Sequence, residues 1–156
     1  MTLPRNHIDP ATLLLELDGY PYPLDYRWLR LNGFRGLAPW RCIDDIDEAT
    51  TIRKEFLLEV GRGSIAVRDF LPFARAESAD DYAGFTQSDG LVSGEVCVAH
   101  LTFRGSAEVS DYPRYAIYPS VWDWLARVLA DLRDRCKPQA AADLEVSLTS
   151  EATRPQ

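Results

Sequence analysis

Apolar residues change their spacing twice along this chain of 156 residues, and those two changes constrain its fold more than any other feature. Between Asp45 and Val60 they recur every three or four positions, at Ile46, Ala49, Ile52, Phe56 and Val60, the stripe of an amphipathic helix. From Ile65 to Tyr118 the repeat shortens towards two, the period of strands whose side chains alternate between faces. From Ser120 to about Cys136 the helical period returns, at Val121, Trp124, Leu125, Val128, Leu129 and Leu132. Strands grouped between helices, rather than alternating with them, indicate an α+β fold. The expected architecture is a mainly antiparallel or mixed sheet flanked by helices, with the long C-terminal helix packed on the sheet.

Local signals place the boundaries. Asp44, Asp45, Asp47 and Glu48 crowd the start of the first long helix, where the helix dipole favours anions, and Gly61 closes it. Ser120 and Asp123 form a capping box at the start of the last helix, and Pro138 stops it. Pro10 to Leu17 reads as a short helix with Asp9 as N-cap, ended by Gly19-Tyr20-Pro21-Tyr22-Pro23. Leu24 to Leu31 reads as a second short helix with Leu24, Trp28 and Leu31 on one face and Asn32-Gly33 as its stop; a strand over Tyr26 to Leu31 is the alternative. Ile65 to Arg68 and Phe70 to Ala74 read as short extended pieces interrupted by Pro72. Tyr82 to Thr86 and Glu95 to Phe103 read as strands, with Ser88-Asp89-Gly90 and Ser93-Gly94 as turn material between them, and Arg114 to Tyr118 as a further strand. Residues 1–138 are expected to form a single domain. Residues 139–156 are a tail, unless the alternation of Leu144-Glu145-Val146-Ser147-Leu148 adds an edge strand.

With 46% apolar residues the chain can bury a core without disulfide staples, and its three cysteines, Cys42, Cys97 and Cys136, are too few and too widely spaced for a disulfide framework. No apolar run reaches the length of a membrane span, and the opening residues lack the apolar segment of a secretory signal, so a cytoplasmic protein is expected. The net charge of −7 is concentrated: residues 44–100 hold 5 bases against 12 acids. Such a surface repels nucleic acid and speeds encounter with a basic protein.

Catalytic chemistry has few candidates. His7 and His100 are the two histidines, and no Cys-x-x-Cys, His-x-x-x-His or Gly-x-Ser-x-Gly motif is present. Gly61-Arg62-Gly63-Ser64 lacks the Lys-Ser/Thr ending of a phosphate loop and leaves a helix instead of opening one. No metal or organic cofactor is expected. Ser88 and Ser93 offer a nucleophile for His100 only if the fold brings them together. Asp44-Asp45 is explained by helix capping and Asp80-Asp81 by a turn. Trp122 and Trp124 lie two residues apart on a helix, so one is expected in the core and the other at a rim or against a partner.

Several of these strings, taken in order, resemble one family. Pro23-Leu24-Asp25-Tyr26, Leu31-Asn32-Gly33 and Leu37-Ala38-Pro39-Trp40 precede Phe70-Leu71-Pro72-Phe73-Ala74, Asp80-Asp81-Tyr82-Ala83-Gly84-Phe85, the run from Gly94-Glu95-Val96 to His100, and the helix from Val121 to Leu132. Over about residues 20–132 the chain resembles the SUKH superfamily of fungal cell-wall-synthesis regulators and bacterial immunity proteins. It departs where Ala76-Glu77-Ser78-Ala79 replaces a glycine-rich stretch, where Thr86 replaces an Asp, and where the segment from Arg104 to Tyr118 is long. The resemblance implies a non-enzymatic protein-binding module, an immunity protein that neutralises a toxin domain; a monomer or homodimer is expected. Together with the charge it puts the partner-binding residues at Asp44, Asp45, Asp80, Asp81 and Asp89, with Tyr82 and Phe85 as aromatic anchors. The alternatives are a small hydrolase using His100 with nearby carboxylates, and a housekeeping homo-oligomer.

Overall fold

The computed structural model describes residues 8–77, 79–101 and 115–136. The chain falls into two compact units, Met1–Trp124 and Leu125–Gln156. The first unit carries β1 (Glu16–Leu17), β2 (Tyr20–Pro21), α1 (Leu24–Leu31), β3 (Trp40–Cys42), α2 (Ile46–Gly61), β4 (Asp69–Ala76), β5 (Asp81–Ser88), β6 (Leu91–His100), β7 (Tyr115–Tyr118) and the start of α3 (Val121–Arg135). In the second unit, the described residues are the remainder of α3 and Cys136. The expected strand over Leu144 to Leu148, and His7, lie outside the described residues.

The architecture is α+β. Strands β3-β4-β5-β6-β7 form one antiparallel sheet in sequence order, and β1 and β2 form a separate hairpin. Two Asp-Gly pairs make the tight turns. Asp18 (φ 52°) and Gly19 (φ 80°) join β1 to β2, and Asp89 (φ 52°) and Gly90 (φ 78°) join β5 to β6. Two consecutive positive φ values define the type I′ turn, whose twist matches that of the strands it joins.

Both faces of the sheet are packed with aromatic rings. Register places Leu71, Phe85 and Val96 on one face and Phe70, Gly84 and Thr86 on the other. On the first, Phe73 stacks on Phe85 with centroids 4.5 Å apart. Tyr26 of α1 and Trp124 of α3 meet Phe73 at 4.8 and 5.1 Å, and Trp124 also packs edge-on against Trp40. Thus the first turn of the C-terminal helix packs on the sheet. On the second face, Phe56 of α2 stacks on Phe70 at 3.8 Å. The Phe70 ring lies directly over Gly84, where an added Cβ would stand 2.2 Å from a ring carbon. Gly84→Ala is therefore expected to destabilise the fold by about 1–3 kcal/mol, because the Phe70 ring is held from behind by Phe56. A urea melt measures it; a cost below a few tenths would mean that the two rings move aside freely.

Sequence expectations change at three elements. The segment from Pro10 to Leu17 forms only a 3-10 turn over Pro10–Thr12, capped by Asp9, and Glu16–Leu17 is already strand. Asp18-Gly19 is a better hairpin turn than a helix stop, and Leu17 is fully buried from there. Pro72 does not interrupt β4, because β3 pairs only with Ala74, Arg75 and Ala76, leaving Pro72 no partner on that side to bond its missing N–H. The register slips between Pro72 and Ala74, a bulge that places Phe73. Ser93-Gly94 lies inside β6, which begins at Leu91, near a second slip between Phe85 and Gln87.

Two tyrosines tie the N-terminal segment to that bulge. The hydroxyl of Tyr22 donates to the carbonyl of Pro72 at 2.5 Å, and that of Tyr26 to the carbonyl of Phe73 at 3.3 Å. Burial pushes both phenols well above their ordinary range. Burial also raises the Cys42 thiol and pushes that of Cys97 up to about 12. The unfolded chain releases these protons at ordinary values, about 8.5 for a thiol and 10 for a phenol, while the folded chain keeps them, so stability falls as pH rises past those values. Urea midpoints are expected to be level below pH 8 and to drop between pH 9 and 11, with a shallower drop in Cys97→Ala. A level profile to pH 11 would contradict it.

Candidate functional site

The seven residues expected to bind a partner do not form one surface. Tyr82 and Phe85 are buried in the sheet, Phe85 completely, so neither is an anchor that a partner can reach. This corrects the expectation for both: a strand between two neighbours, covered on both faces, has no outward side for an aromatic ring. The carboxylates are scattered. Asp80 and Asp81 sit at the start of β5 and Asp89 at its far end, about 25 Å away at the usual rise per strand residue. Asp89 pairs with Arg68 at 3.2 Å. Asp45 caps α2, accepting from the backbone N–H groups of Asp47 and Glu48. Asp44 is committed inward, to the guanidinium of Arg30 and the backbone N–H of Leu14.

The histidine chemistry is likewise local. His100 Nδ1 lies 2.9 Å from Asp81 Oδ1, in a directly paired position across β5 and β6. Ser93 is seven residues away along β6, about 23 Å at the usual strand rise, and Ser88 is at the same distant end. Neither serine reaches His100, so that nucleophile–base pairing does not occur. Among the described residues no cluster of three or more His, Cys, Asp or Glu side chains is placed to hold a metal ion. Gly61-Arg62-Gly63-Ser64 is the end of α2 and a turn.

The surface that stands out is α1. Its apolar stripe points outward: Leu24 is 71% exposed, Trp28 57% and Leu31 48%, while the buried residues of this helix are Tyr26 and Arg30. The inversion has a cause. Arg30 is held by Asp44 and by the carbonyl of Phe34 at 2.5 Å, and Tyr26 by the carbonyl of Phe73 and the surrounding rings. Once those polar tips are satisfied inside, α1 is fixed in rotation and its Leu–Trp–Leu stripe has to face out. Burial opposes the charge on Arg30, but the bond to Asp44 and the other interactions around it outweigh this and raise its pKa above the ordinary value.

Trp122 extends this surface. It is 47% exposed, and its indole Nε1 donates to Asp25 Oδ2 of α1 at 2.9 Å. The two tryptophans of the last helix thus divide, Trp124 inward and Trp122 at a rim. Ser120 Oγ accepts from the Asp123 N–H at 3.2 Å and donates to its carboxylate at 2.6 Å, which fixes the turn that sets Trp122 on Asp25. Sequence reasoning found the stripe at positions 24, 28 and 31 but not that it faces solvent.

No family model, no curated protein and no solved structure matches this chain. Among the described residues, no helix is long and apolar enough to cross a membrane.

Proposed function

We propose that this protein is a protein-binding module of the immunity type, which neutralises a partner by covering it rather than by chemistry. The observation that carries the reading is the inverted helix α1: two leucines and a tryptophan held out to solvent by the pairing of buried Arg30 with Asp44, with Trp122 beside them. Large apolar side chains clustered on a surface mark interaction sites, and tryptophans dominate the energetics of such sites. The resemblance to the SUKH superfamily supports the same reading and supplies the class of partner, a toxin domain. The net charge of −7 suits a basic partner and raises the rate of encounter with it. The docking surface in this reading is Leu24, Trp28, Leu31 and Trp122, in place of Tyr82 and Phe85.

The test is a binding titration against the purified product of the neighbouring gene, which this reading expects to be a toxin domain. Trp28→Ala and Trp122→Ala are each expected to weaken binding by about thirtyfold or more, the loss typical of a central interface anchor. Asp89→Asn, at the far turn, is expected to leave the affinity unchanged. Full affinity in a folded Trp28→Ala/Trp122→Ala double variant would remove this surface and the reading built on it.

A further inference from the structure

We propose that the patch formed by Leu24, Asp25, Trp28 and Trp122 receives an arginine side chain flanked by apolar residues, presented by a partner protein. The inference rests on reading the molecule as a protein-binding module and names what the patch recognises. Four observations carry it. First, Leu24, Trp28 and Trp122 are large, apolar and about half or more exposed. Second, a carboxylate lies among them: Asp25 is exposed, follows Leu24, precedes Trp28 by one helical turn, and accepts the Trp122 indole at 2.9 Å.

Third, that carboxylate has no cation among the described residues. Arg30, Arg41, Arg53, Arg62, Arg68 and Arg75 are each already paired with a carboxylate elsewhere. Asp25 pairs with none of them, and neither does Asp123, one residue beyond Trp122, whose carboxylate takes the Ser120 hydroxyl. Arg27, the other charged residue of α1 beside Trp28, pairs with no carboxylate among the described residues and turns its Nε to the Tyr22 carbonyl at 2.8 Å, which leaves Asp25 without a cation on the Trp122 side of the patch. Fourth, the chemistry of the patch is complementary to guanidinium. Its plane lies flat on an indole face, its N–H groups bond a carboxylate, and its weak hydration makes it the cation most easily taken up beside apolar surface. The indole–carboxylate bond holds Trp122 and Asp25 in fixed relation before any partner arrives, so little order has to be gained on binding.

The probe is the peptide acetyl-Ala-Arg-Leu-Arg-Ala-amide, titrated into the full-length 15N-labelled protein while the four indole N–H signals are followed. Its counterpart with Glu in place of Arg is the control. The Arg peptide is expected to shift the Trp28 and Trp122 signals along a saturating curve, with a dissociation constant on the order of 1 mM for so short a ligand. The signals of Trp40 and Trp124 should stay in place. Asp25→Asn keeps an acceptor for the Trp122 indole but removes the charge, and is expected to weaken binding about fivefold, the scale of one charge-assisted contact at an exposed site. Asp47→Asn, on the exposed side of α2, changes the net charge equally and should leave the affinity unaltered.

The proposal falls if the two indoles do not move, if the Glu peptide moves them as far, or if Asp47→Asn weakens binding as much as Asp25→Asn. It also falls if the Trp28 and Trp122 signals shift with protein concentration alone, which would assign the patch to a second copy of the chain. Loss of peptide binding in wild type alongside a toxin complex that still needs Trp28 would sink the arginine chemistry and leave the protein-binding reading standing.

Discussion

Trp124→Ala is expected to destabilise the protein by about 3–5 kcal/mol, the range for deleting a large buried aromatic, whereas Trp122→Ala costs well under 1 kcal/mol. The two residues stand two positions apart in the same helix, so the contrast isolates burial from helix propensity. Trp124 is 2% exposed and meets both Trp40 and Phe73 edge-on, so its removal opens a hole between β3 and β4 that neither ring can fill without leaving its own partners. Trp122 contributes one hydrogen bond to an exposed aspartate. Chemical denaturation of the two single variants decides it. Small, equal costs would mean that the first turn of α3 does not pack on the sheet.

The second large effect concerns Arg30 and Asp44. The Arg30 side chain has no solvent exposure, and its Nε finds no hydrogen-bond partner among the described residues, so its charge depends on Asp44 and on the Phe34 carbonyl. Asp44→Leu is expected to cost about 3 kcal/mol, the low end for leaving a buried charge unpaired, because Arg30 is buried while a third of the Asp44 side chain meets water. Asp44→Asn should cost less, since it keeps acceptors for Arg30 and for the Leu14 N–H. Replacing both members, as Arg30→Met with Asp44→Leu, should recover most of the loss. It should also release the rotation of α1, which tryptophan fluorescence would register as a change in the exposure of Trp28. A double variant as unstable as Asp44→Leu would show that the charge was not the source of the cost.

That pair also explains where sequence reading succeeds and where it stops. The helices at Leu24–Leu31, Ile46–Gly61 and Val121–Arg135 are legible because their caps and periods are local properties, as is the Asp89-Gly90 turn. The long reach of β4 through Pro72 is not, because it depends on which neighbour a strand lacks, a fact held elsewhere in the chain. The candidate surface shows the same division. Period reveals that Leu24, Trp28 and Leu31 share a side of α1, but an apolar stripe ordinarily turns inward. Its outward turn is decided by contacts of Arg30 with Asp44, fourteen residues on, and of Tyr26 with Phe73, forty-seven residues on. The burial of Tyr82 and Phe85 follows from sheet order, which spacing along the strand does not encode.

The phenols that close on the bulge have a consequence for how the molecule behaves in a crowd. Below Ala74, where β3 ends its pairing, β4 would offer bare carbonyls to any extended chain that drifted alongside, the usual starting point of fibril growth. Pro72 offers no N–H, and its carbonyl is occupied by Tyr22. The Phe73 carbonyl is taken by Tyr26 and by the N–H of Ile43. A foreign strand therefore finds neither the Pro72 nor the Phe73 carbonyl vacant, and Pro72 offers it no donor. Loss of the Tyr22 hydroxyl would return one acceptor to the edge, and the change would surface first as faster aggregation on warming.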